Sequence, residues 1–173
     1  MRPTRTWIAV GTVVLAGVIV AWAQGRKPGL WEMTTTMTWQ QSPFLAGMTP
    51  PGGPNSPFGG GPRTTQVCLT QEIIDKYGAP VPQIRRGDCT FTNVNKTDHS
   101  MTADMVCTGM MSGKGTVQSS WDDPEHAKGS VHFTGSIQGR GGNTPVEWTS
   151  ESTSVFKGSD CGDVKPIPIP ADK

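Results

Sequence analysis

The chain has 173 residues, with 15 Lys and Arg against 14 Asp and Glu, a formal net charge of +1. That is the length of one ordinary domain with enough chain for a real core. The near-neutral balance, with basic residues scattered or at most paired as in Arg85-Arg86, speaks against nucleic acid as a partner, which would require a clustered basic face.

The N-terminus carries Arg2 and Arg5, an apolar run from Trp7 to Val20, and then Ala21, Trp22 and Ala23 before the polar Gln24. This is the charged, apolar, small-x-small order of a secretory signal, in which the peptidase needs small side chains one and three residues before the cut. It predicts a signal peptide over residues 1–23, cleavage between Ala23 and Gln24, and a single mature domain over 24–173, periplasmic or secreted. Loss of Arg2 and Arg5 leaves 13 basic residues against 14 acidic ones. If uncut, the apolar run lies near the lower limit of roughly 17 to 25 residues that span a bilayer, so contact with a membrane is expected only through it.

Trp31, Met33, Thr35, Met37 and Trp39 alternate with Glu32, Thr34, Thr36 and Thr38, a period of two that marks a strand with one buried face. From about 41 to 62 the chain turns rich in Pro, Gly and Ser, and reads as a long flexible loop without a core of its own. A second strand follows at 64–69. Thr70 can cap a short helix over 71–77, with Gly78 to end it and Pro80 beyond.

Five further strands are expected at 89–95, 100–107, 115–121, 130–138 and 146–156. They are separated by turn residues at 95–98, 112–115, 122–124 and 139–143. Short connections favour antiparallel neighbours. The fold class expected is therefore mainly β: an antiparallel meander forming one curved sheet or a partly open barrel, with one short helix. Val131, Phe133, Gly135 and Ile137 are nominated as inward, against His132, Thr134, Ser136 and Gln138 outward. Val117, Ser119 and Trp121 form the matching inward set one strand earlier, and Val146 and Trp148 begin that of the last strand.

The four cysteines, Cys68, Cys89, Cys107 and Cys161, all follow the signal segment, where disulfides persist. Four cysteines allow three pairings. A hairpin register centred on Asp98 sets Cys89 opposite Cys107, Phe91 opposite Met105 and Asn93 opposite Ala103, which puts the bridge and the apolar pair on one face. That register favours Cys89–Cys107, and Cys68–Cys161 by elimination. A zinc site would want closely spaced ligands, and none are present.

Several short motifs stand in an order similar to that of a family of small exported bacterial proteins, the domain of unknown function 3617. They are Lys27-Pro28-Gly29-Leu30-Trp31-Glu32, Val67-Cys68-Leu69-Thr70, the pair Cys89 and Cys107, and the closing stretch from Gly158 to Pro166. The resemblance covers nearly all of the mature chain, and the Pro/Gly-rich stretch after Trp39 departs from it. It implies an exported, mostly β protein and brings no reaction, ligand or catalytic residue.

The remaining polar residues offer little chemistry. His99, His126 and His132 have no ligand spacing, no nucleophile elbow is present, and Asp122-Asp123 before Pro124 reads as a turn. Among the methionines, Met33, Met37, Met101 and Met105 fall on inward strand positions, and only the pair Met110-Met111 could serve copper(I). Trp31, Trp39, Phe133 and Trp148 pack a core or line a groove for a small apolar ligand or an envelope protein. No catalytic residue, metal ligand or cofactor is assigned. The sequence reads as a non-enzymatic binding or scaffold protein of the cell envelope, with an enzyme of unrecognised type, or a Met-based copper binder, as the alternatives.

Overall fold

The computed structural model describes residues 26–44, 61–78, 87–139 and 142–169. The segment 1–23, the Ala23/Gln24 junction and most of the Pro/Gly-rich loop lie outside them.

Seven strands form one antiparallel sheet. They are β1 (Gly29–Gln41), β2 (Arg63–Leu69), β3 (Gly87–Lys96), β4 (Ser100–Gly109), β5 (Met111–Ser120), β6 (His126–Gly139) and β7 (Gly142–Gly158). Their order across the sheet is β2-β1-β7-β6-β5-β4-β3, so β3 to β7 are a meander and β1 with β2 are added to its far side. The sheet is open, with β2 and β3 as its edges. The one helix among the described residues, α1 (Gln71–Tyr77), lies between β2 and β3 in the chain.

The alternation seen in the sequence becomes two faces. One face buries Trp31, Met101, Met105, Val117, Phe133 and Val146 in a single apolar cluster, which Ile73, Ile74 and Tyr77 of α1 also enter. The opposite face carries Thr, Ser, Gln, His, Lys and Glu along β1, β7, β6, β5 and β4. Helix α1 starts where Thr70 accepts a hydrogen bond from the Ile73 amide, and stops where Gly78 takes the left-handed conformation at φ 67°. A Cβ at Gly78 would lie 2.5 Å from the Trp121 ring, so the helix end is seated directly on that indole.

Glycine shapes the middle of the sheet. The strand β5 begins at Met111, not after the Ser112-Gly113-Lys114-Gly115 stretch that reads as a turn; the β4–β5 turn is at Gly109-Met110. Those residues stay in the strand because Gly113 and Gly135 leave room for the Phe133 ring. A Cβ on Gly135 would fall 2.9 Å from that ring and 2.2 Å from the Ser112 carbonyl oxygen. The ring so accommodated stacks on Trp148, 5.4 Å between centroids. Strand β6 begins at His126, four residues before the start expected for it.

The β3–β4 hairpin keeps the expected register from Cys89↔Cys107 through Phe91↔Met105, then departs from it. Asn93 does not face Ala103. A bulge moves the pairing to Asn95↔Thr102, and Asn93 sits in the left-handed region at φ 52° with its amide bonded to Asp104 at 2.7 Å. Asn tolerates that conformation better than other non-glycine residues, so the extra residue is absorbed there.

Both disulfides are present: Cys89–Cys107 across the hairpin, and Cys68–Cys161 over a sequence separation of 93. The second ties the chain beyond β7 back to β2. That tail forms a parallel bridge at Pro166, the Ile167 amide donates to the Cys68 carbonyl, and Ile167 enters the core. Part of the β2 edge is thereby covered.

Candidate functional site

The segment entering β1 is folded tightly. Pro28 and Gly29 turn the chain, and Gly29, at φ 135°, lies so close to β7 that a Cβ would be 2.3 Å from the Gly158 carbonyl oxygen. Trp31 is fully buried, its indole N–H donates to the Lys27 carbonyl at 2.9 Å, and its ring meets Phe156 edge-on. The turn brings Arg26 back over the same indole, with the guanidinium carbon 4.0 Å from the ring centroid. Lys27 instead points outward to Glu125.

Arg26 is the outlier of the molecule. It is 3% exposed, yet only Nη1 has a hydrogen-bond partner, the Gly78 carbonyl at 3.4 Å. Nε and Nη2 are buried with no partner. Among the described residues no carboxylate lies within ion-pair distance of it. Burial alone pushes its pKa down to about 10, which leaves it charged at neutral pH.

Arg26 lines a cavity of about 630 Å³. The buried floor is Arg26, Ile74, Gly78 and Trp121, and the exposed rim is Gln71, Asp75, Lys96, Thr97, Asp98 and His99. Four segments supply these walls: the chain before β1, helix α1 with its Gly78 cap, the β3–β4 turn, and Trp121 just beyond β5. Trp121 fixes that turn, donating its indole N–H to Asp98 and its amide to His99. Lys96 is committed to the end of α1, where it donates to the carbonyls of Ile74 and Asp75 at 2.8 and 2.9 Å. Gln71 and Asp75 bond to each other.

A second depression, about 550 Å³, lies on the polar face of the sheet. Its walls are cross-strand rows. Thr36, Glu151, Ser130, Gln118 and Thr102 stand side by side through β1, β7, β6, β5 and β4, with Thr34, Thr153, Lys128, Ser120 and Ser100 one row along. These groups are mostly exposed, and water satisfies them.

The residues singled out in the sequence do not converge. His99 is on the rim of the Arg26 cavity, with Nδ1 3.3 Å from the Trp121 carbonyl; His126 pairs with Asp123, and His132 with Glu147 on the polar face. Asp123 accepts from the amides of Glu125 and His126, a turn role that holds its carboxyl below the usual range. Met101 and Met105 are core; Met110 is exposed while Met111 packs on the core, so the two thioethers diverge. Trp31, Phe133 and Trp148 are buried in packing, and Trp39 is half-buried against the same cluster, so the aromatics do not line an open groove. Among the described residues no group of three His, Cys, Asp or Glu could hold a metal ion. Arg26 is the residue that sequence reasoning missed. The only sequence signal for it is a cation five residues before a tryptophan, across a Pro-Gly turn.

Residues 26–161 match the family model described as protein of unknown function (DUF3617). The chain belongs to this family. The matched span begins at Arg26 and ends at Cys161, and so contains the cavity walls and both disulfides. No curated protein and no solved structure matches the chain. The two disulfides fit an oxidising, exported environment, and no helix among the described residues is long and apolar enough to cross a membrane.

Proposed function

We propose that this protein is an exported, non-enzymatic binding module of the cell envelope, whose ligand seat is the cavity beside Arg26. The observation that carries the reading is the guanidinium of Arg26, buried with Nε and Nη2 unpartnered. An unpaired buried charge costs several kcal/mol in principle, and folds retain one where a ligand or partner completes it. The cavity volume of about 630 Å³ is in the range of small-molecule sites. In this reading residues 1–23 direct export, cleavage after Ala23 leaves a domain starting at Gln24, and Arg26 follows two residues later. The pair of disulfides supports the compartment.

Native mass spectrometry of the protein taken from its host's envelope tests all of this together. The expected result is a chain starting at Gln24, oxidised at all four cysteines, carrying a small molecule that dissociates on unfolding. A chain retained in the cytosol with free thiols would overturn the export reading, and a ligand-free chain under every extraction would overturn the binding reading.

A further inference from the structure

We infer that the cavity takes a small molecule bearing a single carboxylate, held bidentately by Arg26; the inference rests on the binding reading above and names its ligand class. Nε and Nη2 occupy one edge of the planar guanidinium, and two parallel N–H donors on that edge match the two oxygens of a carboxylate. Those two atoms are the unpartnered ones, whereas Nη1, on the other side, is anchored to Gly78. The free edge is closed to water, and the anchoring bond is long at 3.4 Å. A pivot of the guanidinium on Nη1, across the Trp31 face, turns the fork towards the cavity that Arg26 already lines.

The charge of the walls selects among anions. Lys96 is engaged by the end of α1, and Asp75 and Asp98 stand on the rim. One monocarboxylate neutralises one guanidinium, whereas phosphate, with close to two charges at neutral pH, leaves an excess facing two carboxylates. Above the carboxylate, Ile74 and Trp121 offer an apolar wall and Thr97 a hydroxyl, which suits a ligand with a short apolar body.

The test follows the Arg26 Nε–H resonance of the ¹⁵N-labelled wild-type protein by NMR during titration with benzoate, inorganic phosphate and glucose. The expected result is a saturable downfield shift with benzoate, a response to phosphate about tenfold weaker, and none to glucose. Arg26→Lys keeps the charge but not the fork, and its benzoate affinity, read from the Trp121 indole resonance, should fall about tenfold or more. Ser130→Ala, on the opposite, polar face of the sheet, is the control variant and should retain the Arg26 response. Phosphate binding as tightly as benzoate, or unchanged benzoate affinity in Arg26→Lys, overturns the carboxylate class. An Nε–H signal that no anion moves overturns it too. A neutral molecule retained in the envelope preparation together with that silence would leave the binding reading standing without the carboxylate.

Discussion

The cavity beside Arg26 and the depression on the polar face enclose similar volumes, about 630 and about 550 Å³, but differ in what their walls hold back from water. The polar depression is made of polar side chains on neighbouring strands, mostly exposed to water where they stand. The cavity has a cation in its floor that has lost its water and found no acid in exchange. Volume alone therefore says little about recognition. A group whose desolvation has already been met in the fold has interaction energy left to give, and a hydrated hydroxyl must first give up a water.

The largest test of that contrast removes the staple that holds the cavity end together. Cys68–Cys161 spans 93 residues and fixes the tail against β2, next to the start of α1. Cys68→Ser with Cys161→Ser should lower stability by about 4 kcal/mol by chain entropy. Urea unfolding of the oxidised double variant measures it, and the loss of Trp121 near-ultraviolet dichroism should precede that of the sheet. Simultaneous loss of both signals would mean that the two ends are one cooperative unit, and the contrast between them would be weaker.

A smaller effect is expected from two glycines that differ only in surroundings. Gly135→Ala drives a methyl into the Ser112 carbonyl and the Phe133 ring and should cost about 2 kcal/mol. Gly158→Ala meets nothing within 4 Å and should change stability by less than about 0.5 kcal/mol. Chemical denaturation of the pair shows whether the inner face is as tightly packed as the ring stacking on Trp148 requires.

These residues also show what the sequence makes legible. Alternation in β1 and β6, the Thr70 cap and Gly78 stop of α1, and the pairing of Cys89 with Cys107 follow from local rules, and the structure has them all. The errors occur where a tertiary contact overrides the local signal. Gly113 and Gly115 read as turn formers, yet inside β5 the first makes room for the Phe133 ring and the second for the His132 carbonyl and the Met105 methyl. The Asn93 bulge answers a partner, Asp104, eleven residues away. The cavity was illegible for the same reason: its walls come from residues 26, 71–78, 96–99 and 121, which share no motif or period. The Lys27–Glu32 motif, legible only as a resemblance, turns out to build the turn that seats Arg26 on Trp31.

Arg26→Met separates stability from recognition. An apolar side chain of similar length can replace an unpaired buried charge with a gain of about 1 to 3 kcal/mol, less the cation–π contact with Trp31. The variant should unfold at a higher urea concentration than wild type and lose benzoate binding; a clear destabilisation would make Arg26 a structural residue. The pH dependence gives an independent sign. With a folded pKa lowered by burial to about 10, below the ordinary guanidinium value, the unfolded chain binds more protons above pH 10, so the Arg26 contribution to stability rises with pH across that window. The stability gap between Arg26→Met and wild type should be full below pH 10 and narrow above it, as read from paired unfolding curves.

The smallest effect belongs to the polar face. Ser130→Ala and Thr102→Ala remove hydroxyls from the row through Glu151 and Gln118, on the face opposite the apolar core. Each should alter stability by less than about 0.5 kcal/mol, and neither should change the Arg26 Nε–H response to benzoate. That null is informative because the two depressions sit on one sheet. If a hydroxyl on the far face changed the Arg26 signal, the sheet would be transmitting strain between them, and the cavity could not be treated as a site defined by its own walls.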